Sequence, residues 1–89
     1  MIQQSVTIIN KLGLHARASS KLVSLASRFG CKIELSYDNQ IVNSKSILGV
    51  MMLGAIQGTE IIITIDGDEE ETAMKMIIEL ISNKFGEAE

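Results

Sequence analysis

The period of the apolar positions changes several times along the chain, and each change marks a new element. Ser5–Ile9 (SVTII) is β-branched and partly alternating, which predicts a strand. Asn10–Gly13 supplies turn chemistry. From Ala16 to Phe29 the apolar residues Ala18, Leu22, Leu25, Ala26 and Phe29 recur at three and four, the spacing of an amphipathic helix, and Gly30 stands as its stop. Cys31, Ile33 and Leu35 then alternate with Lys32, Glu34 and Ser36, the pattern of a half-buried strand. Tyr37–Gln40 reads as a hairpin turn into a short returning strand, Ile41–Asn43.

Ser44–Leu53, closed by Gly54, is long enough for a two-turn helix capped by Ser44 or Ser46. Thr59–Asp66 (TEIIITID) is the most β-branched run and is expected to be a central strand. After the Asp66–Gly67 turn, Asp68 is expected to cap a last helix, with Glu69, Glu70 and Glu71 in its first turn. Ala73, Ile77, Leu80, Ile81 and Lys84 mark that helix, and Gly86 ends it. The predicted order is βαββαβα. Such an order implies an α+β fold, an open-faced sandwich in which three helices pack on one face of a four-stranded antiparallel sheet.

The composition narrows this picture. Eighty-nine residues fit one domain spanning 1–89, and with 46% hydrophobic residues but only three aromatics the core must be aliphatic. The net charge of −3 hides a division: up to residue 59 six basic residues face two acidic ones, whereas from residue 60 onward two face nine. A basic pole should therefore steer acidic partners. A nucleic-acid-binding βαββαβ domain is the competing reading, but it expects aromatics on the sheet and a basic chain, and the pI near 5.1 disfavours it. The lone Cys31 lies in an apolar alternation and reads as a buried structural thiol. MIQQSVTIIN lacks the basic and apolar regions of a signal peptide, and no apolar run reaches the roughly 18 residues that span a bilayer. A cytoplasmic, monomeric protein is the expectation.

His15 is the only histidine. A lone histidine is most often structural, but this one lies between a glycine-bearing turn and the start of a predicted helix. Helix N-termini present free N–H groups and a positive dipole end, a ready site for phosphate. Arg17, two residues on, adds a guanidinium for charge-assisted hydrogen bonds. The dipole disfavours a charged ring, and a neutral imidazole keeps the lone pair that attacks phosphorus. No metal-ligand spacing, nucleotide loop or second histidine accompanies it, so neither a metal nor a cofactor is expected. Ser19, Ser20 and Ser24 fall on the helix, where serine usually faces water. A phosphorylatable residue without catalytic apparatus suggests a carrier acted on by other proteins.

Gly13–Leu14–His15–Ala16–Arg17 and Val42–Asn43–Ser44–Lys45–Ser46–Ile47–Leu48–Gly49–Val50 together resemble the histidine-containing phosphocarrier (HPr) family of the bacterial phosphoenolpyruvate:sugar phosphotransferase system. Length and element order match as well, so the resemblance covers essentially the whole chain. It implies that His15 accepts a phosphoryl group on Nδ1 from enzyme I and passes it to enzyme IIA components, with Arg17 orienting the phosphate. The family motif continues with proline where this chain has Ala18. Alanine is the better helix former and the fold should survive, but transfer rate and partner preference are left open.

Ser46 has a plain role as a helix cap. The resemblance adds a second, as the target of HPr kinase/phosphorylase, its phosphorylated form serving a catabolite regulator. A phosphate at a helix N-terminus is tolerated by the fold yet repels an acidic partner. Val50 and Leu53 are expected in the core. Some of Ile47, Leu48 and Met51 should be exposed, because so short a helix cannot bury all its apolar side chains. With Lys11, Arg17, Lys21 and Lys45 they would make an apolar centre with a basic rim, suited to weak, fast exchange. Two readings therefore stand: a phosphoryl carrier, and a mainly regulatory module in carbon or nitrogen control.

Overall fold

The computed structural model describes residues 1–89 and holds four strands and three helices. The strands are β1 (Ile2–Thr7), β2 (Lys32–Tyr37), β3 (Gln40–Asn43) and β4 (Glu60–Asp66). The helices are α1 (Ala16–Ala26), α2 (Ile47–Met52) and α3 (Glu70–Ser82). All strand pairs are antiparallel, in the order β1-β4-β2-β3. The isoleucine-rich β4 is central, as its composition predicts.

Alternation divides the sheet into two faces. Ile61, Ile63 and Ile65 of β4 and Ile33 and Leu35 of β2 are buried beneath the helices. Leu22 and Ala26 of α1, Val50 of α2 and Ile77 and Ile81 of α3 join them in one aliphatic core, with Leu53 and Cys31 also inside. Glu60 and Ile62 point to the opposite, open face, where Gln3 Nε2 donates to Thr64 Oγ1 across the β1–β4 pair. The α+β open-faced sandwich follows from this one-sided burial.

The hairpin at Tyr37–Gln40 closes through Asp38 (φ 52°) and Asn39 (φ 66°), both left-handed as a two-residue turn of this hand requires. Several boundaries differ from the sequence reading. β1 starts at Ile2 because the seven-residue β4 continues the ladder to Ile2–Ile65 and recruits the polar Gln3 and Gln4. Helix α1 stops at Ala26, three residues before Phe29. There the Arg28 and Phe29 amides donate to carbonyls three residues back, a tightening that turns Phe29 into the core.

The start of α3 also departs from expectation. Asp68 is not its cap; Glu69, left-handed at φ 64°, holds that position and makes no side-chain cap bond. The cause lies in Gly67, whose Cα packs so closely on Cys31 that a Cβ would come within 2.9 Å of the Cys31 Cβ. The chain needs one more residue to turn, and the Gly67 N–H donates to Glu70 Oε2. At its far end α3 stops at Ser82, and Lys84–Gly86 form a separate 3-10 turn.

Candidate functional site

The approach to α1 is held rigidly. Asn10, fully buried, donates from Nδ2 to Gly13 O (2.8 Å), while the Gly13 N–H donates to Asn10 O (3.2 Å). Gly13 is left-handed at φ +64° and lies against the Ala55–Ile56 backbone, and the Leu14 N–H donates to Ala55 O (2.9 Å). Ser19 was expected to face water but is buried, and its Oγ donates to Leu14 O (3.0 Å). The turn before His15 is thereby fastened from three sides.

His15 itself is the N-cap of α1, with extended backbone and no side-chain capping bond. Backbone bonding in the helix begins with the Ser19 N–H donating to His15 O (2.8 Å). The Ala16, Arg17 and Ala18 amides make no backbone bond, so the helix end offers donors to an anion. Ala18 keeps an N–H that a proline would lack, but the residue does not expose it to the cavity as it stands. It is fully buried, and with no acidic residue in the first turn, no carboxylate of the helix's own screens its positive end.

An open cavity of about 350 Å³ surrounds the ring, lined by Lys11, Leu12, His15, Arg17, Glu87, Ala88 and Glu89. Arg17 is exposed at its edge. Three of these residues come from the far end of the chain, and no local signal marks them. Lys84, Phe85 and Gly86 take positive φ in succession, and the buried Phe85 anchors the turn they form. Lys21 Nζ donates to Phe85 O (2.6 Å), and the Lys11 N–H donates to Glu89 O. The last residues thus run back beside α1.

That path brings the Glu87 carboxylate to His15, with Oε2 paired to Nε2. Oε1 accepts from Asn10 Nδ2 (3.0 Å). Burial alone would push the Glu87 carboxyl up, but hydrogen bonds from Asn10 and His15 and the positive fields of His15 and Lys21 outweigh it and hold the group below its ordinary value. The ionised form therefore ties down the tail. Its stabilisation is fully present above the ordinary carboxylate range and is lost as pH falls through the lowered value.

The remaining residues singled out in the sequence lie at several places. Lys11 Nζ pairs with Glu89 Oε2 at 3.4 Å in solvent. Lys45 Nζ donates to Phe29 O (2.7 Å), so Lys45 and Lys21 close off carbonyls at turns instead of presenting free ammonium groups. Ile47, Leu48 and Met51 are exposed on α2, and Met52, Leu12 and Ile56 are exposed as well. Leu12 lines the His15 cavity, while Ile56 belongs to the segment on which Gly13 rests. No group of metal-ligating side chains forms, and no helix is long and apolar enough to cross a membrane.

Ser46 caps α2. Its Oγ accepts from the Gly49 N–H (3.1 Å), and a Cβ on residue 49 would press on that hydroxyl at 3.3 Å. Ser44, the other candidate, is buried and donates to Ile33 O. Ser46→Ala is expected to lower stability by about 1 kcal/mol, measured as a shift in urea midpoint with unchanged slope, while Ser46→Asp keeps a capping oxygen and loses less.

Comparison with known proteins gives the family. A family described as "PTS HPr component phosphorylation site" matches residues 2–83. The phosphocarrier protein HPr of Cupriavidus necator is 49% identical over 89 residues, covering all of both chains. Among solved structures, HPr from Thermoanaerobacter tengcongensis superposes with a TM-score of 0.96 at 44% identity, again over the full length of both. An HPr dimer from the same organism gives 0.79 at 45%, covering 98% of this chain and 100% of that one. A lone histidine at an open helix end, two separate motifs and full-length similarity converge: the chain belongs to the HPr family, phosphocarrier proteins of the phosphotransferase system and not enzymes.

Proposed function

We propose that His15 is the acceptor, taking a phosphoryl group from enzyme I, which draws it from phosphoenolpyruvate, and passing it to enzyme IIA components in sugar uptake in the cytoplasm. The observation that carries this reading is the position of His15 as N-cap of α1, beside the first-turn amides that make no backbone bond and beside Arg17. The ring needs no base. A neutral imidazole already has its lone pair, and the phosphoryl oxygens gain charge-assisted hydrogen bonds where the helix dipole is positive.

The chain receives and gives up the same group, so its site must bind phosphate firmly enough to order it and weakly enough to release it. An open cavity at the surface suits that exchange. The α2 side chains Ile47, Leu48 and Met51 would dock donor and acceptor alike, with Arg17 and the solvent-exposed Lys11 on the rim.

The test is incubation with enzyme I and labelled phosphoenolpyruvate. Acid-labile phosphate on the protein is the expected result, and its absence would overturn the carrier reading.

Ser46 favours a second role. The residue is half-buried as the N-cap of α2, directly before the exposed Ile47 and Leu48, where added phosphate would place about two negative charges beside the docking side chains. Modification by HPr kinase/phosphorylase would thus slow phosphoryl transfer and offer a catabolite regulator a charged mark. Acid-stable label at Ser46 from ATP would support that role. Acid-stable label with no acid-labile label would make the protein mainly a regulatory module.

A further inference from the structure

We infer that Glu87 is a positioning residue for phosphoryl transfer, its carboxylate holding the His15 ring so that Nδ1 faces the incoming phosphorus. The inference rests on the reading of His15 as acceptor and adds a second residue, 72 positions away in sequence, that acts through it.

An ionised carboxylate only accepts hydrogen bonds. Glu87 Oε2 is paired with His15 Nε2, so in the neutral ring the proton must sit on Nε2 and the lone pair on Nδ1. The carboxylate is in turn fixed by Asn10, whose Nδ2 spans Gly13 O at 2.8 Å and Glu87 Oε1 at 3.0 Å. Asn10 is fully buried, and turning its amide over would set an oxygen against two acceptors, so its orientation is determined. A three-member chain results, Asn10 to Glu87 to His15, in which each link has one workable polarity.

The chemistry follows from that polarity. The Nδ1 lone pair forms the N–P bond while the bond from phosphorus to the donor's leaving atom breaks and its electron pair stays with the donor. Nε2 keeps its proton, so positive charge builds on the ring, and the Glu87 carboxylate lies where that charge develops. In onward transfer the sequence reverses. The cationic ring is the better leaving group, and the electron pair of the N–P bond returns to Nδ1 as the acceptor's nucleophile bonds to phosphorus. The same contact therefore serves both directions.

Other charges face this pair. Arg17 and Lys21 project from α1, Lys11 from the preceding turn, and Glu89 from the same tail. Lys11 is paired with Glu89, and Lys21 is held on Phe85 O. Glu87 is the carboxylate that touches the ring.

Two measurements on the full chain test the proposal. In the unphosphorylated parent, proton NMR with 15N-labelled histidine is expected to show a downfield, exchange-protected Nε2–H resonance that disappears in Glu87→Ala. This arm needs no phosphorylation, so it stands even if His15 proves not to be the acceptor. In the second, hydrolysis of the phosphorylated protein is followed against pH for parent and Glu87→Gln, a variant that retains an oxygen for Asn10 but loses the charge. The rise in hydrolysis rate is expected to move to lower pH by about one unit in Glu87→Gln, the usual effect of losing an opposite charge at contact distance. A purely structural role for Glu87 would leave that profile in place. Absence of the protected Nε2–H in the parent, or superimposable profiles, would overturn the proposal.

Discussion

His15→Ala is expected to take up no acid-labile phosphate from enzyme I and phosphoenolpyruvate, while remaining folded. Loss of label should be complete, because no other residue lining the cavity replaces an imidazole. Arg17 offers a guanidinium, which is no nucleophile, Lys11 is paired with Glu89, and Glu87 and Glu89 are carboxylates without an activated partner. The fold should tolerate the change, since the His15 side chain makes no capping bond to α1 and the turn before it is held by Asn10, Gly13, Leu14 and Ser19. The cost is confined to the tail, where Glu87 loses one of its two partners. Thermal unfolding and far-ultraviolet circular dichroism check the fold, and acid lability checks the label. Label persisting in His15→Ala would show that the phosphoryl group goes elsewhere.

Gly13→Ala is expected to cost roughly 2–4 kcal/mol, the sum of a left-handed alanine and a forced displacement of packed backbone. At φ +64° the added Cβ would lie 2.5 Å from Ala55 O and 2.9 Å from Ile56 Cα. Both are main-chain atoms and cannot swing aside as a flexible side chain could. The turn must lift away, loosening the Leu14–Ala55 hydrogen bond and the paired Asn10–Gly13 bonds that set the entry to α1. Phosphoryl transfer should slow along with the loss of stability, because His15 is carried by the same turn. Gly54→Ala is the control. Its φ of +72° is equally left-handed, but a Cβ there meets nothing within 4 Å, so only the backbone term of about 1 kcal/mol remains. Denaturant midpoints for the two variants measure the difference. Equal midpoints would mean that the close approach to Ala55 and Ile56 carries no energy.

The elements legible in the chain were those whose side-chain period reports burial directly. Isoleucines at 61, 63 and 65 sit at every second position, and in the structure all three are buried. Where a single partner decides the outcome, period is silent. Ser19 looks like any helical serine until Leu14 O is found above it, and Asp68 looks like a cap until Gly67 is pressed against Cys31. The basic pole was readable as a surplus of lysine and arginine before residue 60. Its real composition was not, because the chain returns Glu87 and Glu89 from the acidic end and sets them among those cations.

The sequence by itself determined the element order, the one-sided aliphatic core and the candidate histidine at a helix start, all properties of neighbours a few residues apart. The family motif around His15 is equally local. Only the tertiary structure decided what stands beside the ring. Three left-handed residues at 84–86, the burial of Phe85 and the Lys21 contact together aim the last residues at α1, and none of them has meaning until the core exists. The physical reason is distance. Hydrophobic period is written in adjacent residues, whereas a carboxylate reaches His15 from 72 positions away only after the whole sheet and its helices have closed.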